Sequence, residues 1–294
     1  MKLLTYLYDG TENAGVLSKD GTKVFPFSSF GVPYEDMNSF IQNAGQNQLN
    51  TIYAKLESKT EGAVSFDEIK ILAPIPVPAQ DVICLGVNFL AHAQESARFK
   101  KETFQMDRTD AVYFSKRVNR AVASGDLIDG HFDIVDSLDY EAELAVVIGK
   151  DARNVSAEDV FSHILGYTVM NDVSARNIQS RHKQWYFGKS LDGFTPMGPW
   201  IVTEDEFNRP PVLTVQSRVN GELRQDSTTG LFITSIEAAV SELSQGMTLK
   251  AGTVISMGTP AGVGMGFDPP KFLKSGDVVE CEIEGIGTLT NPVK

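Results

Sequence analysis

Cysteine is nearly absent from this chain. Its 294 residues hold two, Cys84 and Cys281, far apart and in apolar or strand-like surroundings. Two such thiols argue against a disulfide framework or a cysteine-rich zinc site, and they read as buried free thiols. Histidine is scarce too: among His92, His131, His163 and His182 no two fall in a matching ligand motif. That weighs against a 2-His-1-carboxylate oxygenase centre. No apolar run approaches the ~20 residues of a transmembrane helix. The opening Met-Lys-Leu-Leu-Thr-Tyr lacks a signal peptide's apolar core, so a cytoplasmic protein is expected. Positive charge is in deficit, with 26 Lys and Arg against 38 Asp and Glu and a net charge of −12. This disfavours a nucleic-acid or anionic-membrane partner. It leaves an anionic small molecule open, because a local metal, Lys or Arg sets the field in a site.

The apolar content of 42% is that of an ordinary globular protein. Residues 1–70 read as a small unit of their own. Residues 1–8 and 13–24 form a predicted hairpin, with turn signals at Asp9-Gly10 and Lys19-Asp20-Gly21. Residues 36–56 read as one or two helices, with Met37, Phe40 and Ile41 at helical spacing. Residues 71–80 carry Pro74, Pro76 and Pro78 and read as an extended connector. From 81 to 294 short strands dominate, at 81–86, 111–115, 141–148, 165–170, 198–202, 212–219, 253–257 and 278–283. A helix is predicted over 235–243 with Ser235 as its cap, and Asn220-Gly221 marks a hairpin turn. The expected fold class is β-rich α+β.

One strand carries chemistry. In Asp139-Tyr-Glu-Ala-Glu-Leu-Ala-Val-Val-Ile-Gly149, alternation puts Glu141, Glu143, Ala145 and Val147 on one face and Ala142, Leu144, Val146 and Ile148 on the other. Both faces are apolar past Glu143, which is the pattern of a buried strand. Taken alone, Glu-x-Glu is a solvated strand end. Here two carboxylates enter the protein together, each costly to desolvate unpaired. A third, Asp172, ends the apolar segment Ile164–Val173. Oxygen-only donors point to Mg²⁺ or Mn²⁺ rather than zinc, with the remaining positions left to water and substrate.

Four further elements accompany the acids. His92 and Glu95 are three apart, so on a helix the carboxylate can orient the imidazole as a general base. Alone, such a His would read as a surface or capping residue. Arg176 and Gln179 follow Asp172 closely. Lys189 follows a glycine, where backbone can approach a ligand, although a lone Lys in such a loop is ordinarily solvated. Met257-Gly-Thr-Pro-Ala-Gly-Val-Gly264 follows a strand and offers Thr259 and backbone N–H groups to an anion, without the Lys-Ser/Thr of a nucleotide-binding P-loop.

Together these motifs resemble the fumarylacetoacetate hydrolase superfamily from about residue 81 onward. They are Gly-x-Asn-(Phe/Tyr)-x-x-His at 86–92, Tyr-Glu-x-Glu-Leu at 140–144, Asn-Asp-x-Ser-Ala-Arg at 171–176, Gly-Lys-Ser-x-Asp at 188–192, Asn-Gly-Glu at 220–222 and Gly-Thr-Pro-Ala-Gly-Val-Gly at 258–264. One departure is Tyr113-Phe-Ser-Lys-Arg-Val118, where many relatives have Phe-x-Lys-Pro. The resemblance implies a mixed β-sandwich roll and a small N-terminal unit like that of several bacterial members. It implies Mg²⁺ (or Mn²⁺) on Glu141, Glu143 and Asp172, Lys189 beside the metal-bound substrate oxygens, Thr259 with its loop on a substrate carboxylate, and substrate contacts from Arg176 and Gln179. His92 and Glu95 resemble a dyad on a mobile lid of the acylpyruvase and decarboxylase branch. A homodimer is the family expectation.

The expected activity is C–C hydrolysis of an acylpyruvate-like substrate through a metal-stabilised enolate. Decarboxylation of an oxaloacetate-like acid or isomerisation of a 2-hydroxyhepta-2,4-diene-1,7-dioate stands second. A metal-stabilised structural protein that has lost catalysis is the contrasting class, and the presence of His92, Glu95 and Lys189 argues against it. Residues 89–110 carry many charges and few strongly apolar groups. Residues 89–101 are helix-compatible, and the segment as a whole is expected to be mobile or partly irregular without ligand, closing to bring His92 and Glu95 toward the metal.

Overall fold

The computed structural model describes residues 1–101, 103 and 110–294. β1 (Lys2–Tyr8) and β2 (Thr11–Leu17) pair antiparallel around Asp9-Gly10, both in the left-handed region as a tight turn requires. β3 (Lys23–Pro26) continues the meander. Asp36 accepts the Ser39 N–H at 2.9 Å and caps α1 (Met37–Asn43), which is followed by α2 (Gln46–Leu56). The short β4 (Val64–Ser65) and β5 (Lys70–Ile71) complete residues 1–71.

The rest of the chain runs β6 (Val82–Gly86), α3 (Leu90–Lys100), β7 (Val112–Lys116), β8 (Leu138–Asp139), β9 (Ala142–Ile148), β10 (Ile164–Asn171), β11 (Ser174–Ala175), α4 (Arg176–Arg181), α5 (Tyr186–Lys189) and β12 (Met197–Thr203). It continues with β13 (Thr214–Val219), β14 (Glu222–Thr228), α6 (Ile236–Ser244), β15 (Val254–Ser256), β16 (Val278–Ile283) and β17 (Gly287–Pro292). Ser235 caps α6 through the Ala238 N–H at 3.2 Å, as its sequence predicts. The fold is strand-rich and mixed, in agreement with the expected β-rich α+β class.

One large mixed sheet is ordered β4-β3-β2-β1-β12-β10-β9-β15-β6-β7, with β5 added beside β1. β15 and β6 are parallel within it. A second sheet, β14-β13-β16-β17, packs on β9 and β10. Between the two sheets lies a core that includes Leu144, Val146, Tyr167, Val215 and Val279. The other face of β9 sends Ala145 and Val147 into a different core with Phe25, Phe40, Met197 and Ile201. The alternation read from the sequence is therefore sorted between two cores. Each fully buried Val, Leu or Ile contributes about 1.5–3 kcal/mol, so β9 is a rigid support for the acids at its start.

The Pro-rich connector does not mark a gap in packing. β1 bonds directly to β12, with Lys2 opposite Val202 and Leu3 opposite Ile201. Ile75, within the connector, is itself buried in the core that the two parts share. α3 falls in the stretch whose sequence is helix-compatible. Residues 90–100 form a regular helix, and its buried residues are the polar His92, Glu95 and Ser96. A count of apolar residues misses this docking because the partners are polar. The remainder of the expected lid, Glu102 and residues 104–109, lies outside the described residues. Among the described residues, no helix is long and apolar enough to cross a membrane.

Candidate active site

Glu141 precedes β9 and Glu143 lies on it, while Asp172 follows β10, the antiparallel neighbour of β9. The pairing of Asn171 with Ala142, reinforced by the Asp172 N–H donating to the Glu141 carbonyl at 2.9 Å, draws the third acid beside the first two. Carboxylate oxygens of all three lie within 4.8 Å of one another, and all three residues are buried. This donor set, all oxygen and all anionic, fits a hard divalent cation.

The cations around the acids are equally buried. Lys189, at the end of α5, donates to Glu141 Oε2 at 2.8 Å and Asp172 Oδ2 at 2.6 Å. Burial would lower its pKa, but Asp172 and Glu141 outweigh that and push it up to about 12. Lys116, the fully buried last residue of β7, donates to Asp172 Oδ1 and to the carbonyls of Val173 at 3.1 Å and Phe194 at 2.8 Å. Arg176 lies 2.7 Å from Glu141 Oε1 and 2.9 Å from Asp139 Oδ2. Its pKa is raised: burial opposes the charge, and Asp139 and Glu141 more than restore it. Burial would raise the Glu141 pKa, and Lys189 and Arg176 hold it below the usual range instead.

Glu143 is different because its partners are neutral. Its Oε2 accepts from Ser256 Oγ and from the Gly258 N–H at 3.1 Å. Burial, then Asp172 and Glu141, push its pKa well above the ordinary carboxylate value. The cluster as a whole sets Glu141, Glu143, Asp172 and Asp139 against Lys116, Lys189 and Arg176. Four acids face three cations, and Glu143 carries the imbalance. A divalent cation would convert that deficit into one net positive charge, which suits an anionic ligand. Cys84 lies near these acids. Burial first, then Asp172 and Glu143, raise its pKa, so the thiol stays protonated and unreactive.

A cavity of about 900 Å³ opens onto the cluster, lined by Glu141, Glu143, Lys189, Arg176, Gln179, Thr259 and His92 among others. Phe99, Phe114, Trp185 and Phe272 supply apolar walls. His92 reaches it from α3, with its Nδ1 3.4 Å from Glu95 Oε2. Thr259 Oγ1 donates to the Ala142 carbonyl at 3.0 Å and accepts from Gln225 Nε2 at 2.6 Å. Gln179 Oε1 accepts from Arg176 Nη1 at 3.1 Å. All nine residues singled out in the sequence thus stand in or directly behind one cavity. Arg176 is engaged by protein carboxylates on two sides.

Two residues of the cluster went unassigned in the sequence. Lys116 ends β7, a position where a Lys is ordinarily solvated, so its sequence setting gives no sign of its buried partners. Asp139 shares the alternation parity of Glu141 and Glu143. Its Oδ1 accepts the Gly264 N–H at 2.6 Å and its Oδ2 the Met265 N–H at 3.0 Å, so it ties Arg176 to the glycine-rich loop. The loop's backbone makes this possible: Gly258 and Gly262 have φ of 88° and 103°, a region open mainly to glycine.

Known proteins share both the sequence and the architecture. The sequence model of the fumarylacetoacetate hydrolase C-terminal region matches residues 81–294. Oxaloacetate tautomerase YisK of Bacillus subtilis is 45% identical over 230 residues, covering 78% of this chain and 74% of that protein. The solved fumarylacetoacetate hydrolase of the psychrophile Exiguobacterium antarcticum superposes with a TM-score of 0.85 at 38% identity, covering 100% of this chain and 99% of the other. The 2-hydroxyhepta-2,4-diene-1,7-dioate isomerase of Mycobacterium marinum gives a TM-score of 0.73 at 31% identity, covering 100% and 98%.

Proposed function

The chain is an enzyme of the fumarylacetoacetate hydrolase family, and from that premise we propose that it interconverts the keto and enol forms of a small 2-oxo dicarboxylate of the oxaloacetate type. The observation that carries the reading is the meeting, in one cavity, of an acid cluster, a buried ammonium and a buried His–Glu pair. Similarity to a curated oxaloacetate tautomerase supports it. In this reading Glu141, Glu143 and Asp172 hold Mg²⁺ or Mn²⁺. When bound, the ion supplies Lewis-acid charge that lowers the cost of an enolate.

The remaining steps belong to the chain itself. Lys189 faces the substrate oxygen on which negative charge develops. From keto to enol, His92 takes the proton from the carbon next to the carbonyl and water protonates the enolate oxygen; from enol to keto, water takes the oxygen-bound proton and His92 returns one to the carbon, with Glu95 fixing the ring. Thr259, Gln179 and Arg176 orient the carboxylates, and the apolar walls limit water. C–C hydrolysis of an acylpyruvate is the second reading. It is favoured by a cavity of about 900 Å³, ample for a substrate larger than a four-carbon acid, and by a dyad that could equally deprotonate water. A homodimer remains part of the proposal, and light scattering that reports the 32.1 kDa monomer would remove it.

The test is a panel of enol-oxaloacetate, acylpyruvates and hydroxy-diene-dioates assayed with Mg²⁺ and Mn²⁺. Loss of the enol signal at unchanged carbon count supports tautomerisation. Pyruvate released from acylpyruvates alone would replace it with hydrolysis, and carbon dioxide release from oxaloacetate as the dominant reaction would replace it with decarboxylation.

The raised Glu143 pKa makes metal binding pH-dependent. Glu143 must lose its proton for the ion to bind, so apparent Mn²⁺ affinity should climb with pH by up to about tenfold per unit until Glu143 is ionised. Because the folded carboxyl holds its proton more tightly than the unfolded one, the metal-free fold should lose stability as pH rises above the ordinary carboxylate range. Mn²⁺ titrations and metal-free urea unfolding between about pH 5 and 8 read the two effects. An affinity flat across that range would show that Glu143 gives up no proton when the ion binds.

A further inference from the structure

Glu95 has more to do than face His92. Its carboxylate is buried and accepts the Gly262 N–H on both oxygens, at 3.0 Å to Oε1 and 3.2 Å to Oε2. The group thereby ties α3 to the glycine-rich loop at Gly262, just before the turn at 264–266 against which α3 packs. The seat it occupies exists because residue 266 has no side chain. A Cβ built there would stand 2.5 Å from Glu95 Cδ and 3.0 Å from Oε2, and closer still to Oε1. The backbone at Gly266 is not in the left-handed region, so nothing in its conformation requires glycine. A side chain at 266 therefore obliges the Glu95 carboxylate to leave this place.

We propose that Gly266 is a positioning residue of the active site: its missing side chain is the seat in which Glu95 fixes α3, and with it His92, over the acid cluster. The turn that forms the seat is held in place from the other side by Asp139, whose carboxylate binds the Gly264 and Met265 N–H groups and Arg176. The dyad and the acid cluster are thus set on one continuous support. A methyl group at 266 displaces the Glu95 carboxylate, frees the Gly262 N–H and loosens the helix that carries His92, without touching a group that meets substrate.

Comparison of Gly266→Ala, Glu95→Ala and the double variant tests this. On the full chain without substrate, exchange of the α3 amides should quicken by about tenfold or more in Gly266→Ala, and alike in Glu95→Ala, with no further gain in the double variant. Turnover should fall by about 10–10²-fold in Gly266→Ala through misplacement of His92, and adding Gly266→Ala to Glu95→Ala should cost nothing more. Mn²⁺ affinity should match wild type in all three. Wild-type exchange in Gly266→Ala, or turnover losses that multiply in the double variant, overturns the proposal. Should Gly266→Ala fail to fold, the double variant still decides, since it has no carboxylate to displace: folding like Glu95→Ala supports the seat and failing to fold refutes it. The exchange measurement needs no substrate, so it stands apart from the functional reading on which the turnover comparison rests.

Discussion

His92→Ala should lower turnover by about 10²–10⁴-fold on either enol-oxaloacetate or an acylpyruvate, the usual contribution of a positioned general base. His92 is buried at 4% exposure, lines the cavity and has Glu95 at 3.4 Å. Both leading reactions need a base, to move a carbon-bound proton in one and to deprotonate water in the other. Decarboxylation does not need one at its first step, because the departing carbon dioxide leaves the electron pair behind. Release of carbon dioxide from oxaloacetate should therefore persist in His92→Ala and vanish in Glu143→Ala, where the donor set itself is broken. Rates of both variants on all three substrates discriminate the chemistries. Unaltered enol conversion and acylpyruvate cleavage in His92→Ala would discard the dyad even with the fold intact.

Lys189→Met should lower turnover and metal-free stability while sparing metal affinity. Turnover should fall by about 10²-fold or more, because the ammonium that meets the developing oxyanion is gone. Metal affinity should hold or rise, because that ammonium bonds Glu141 and Asp172, two of the oxygen donors a cation would use. The metal-free variant should lose about 3–5 kcal/mol of stability, the range for breaking a buried ion pair, and added Mn²⁺ should restore part of it. Urea unfolding with and without Mn²⁺, beside steady-state rates, reads all three. Full turnover on a verified substrate would return Lys189 to a purely structural role.

Much of this arrangement is legible in the sequence where one period governs. The parity of Glu141 and Glu143, the apolar runs of β9 and β10 and the Asn220-Gly221 turn each follow from local rules and appear in the fold. What escaped is short or polar. α4 and α5 have six and four residues, too few for helical periodicity to show. β17 presents Leu289 and Asn291 inward, and Asn291 reads as a loop residue until its Nδ2 is seen donating to the Ala123 and Asp126 carbonyls at 2.7 and 2.9 Å. Lys116 is the sharpest case. A lysine at a strand end is ordinarily solvated, and only the approach of Asp172 and the carbonyls of Val173 and Phe194 explains why this one is wholly enclosed. Long-range pairing of that kind has no signature within a window of neighbours.

The bond between β1 and β12 bears on how the molecule can be cut. A fragment starting at residue 81 would keep every acid, cation and loop of the cavity. It would also lay bare the hydrogen-bonding edge of β12 and strip the cover from Met197, Ile201, Ala145 and Val147. Bare edges and uncovered apolar faces invite other chains. The leading 80 residues thus serve the rest of the chain as a built-in shield, and a truncated protein would be sought in the aggregate rather than in solution.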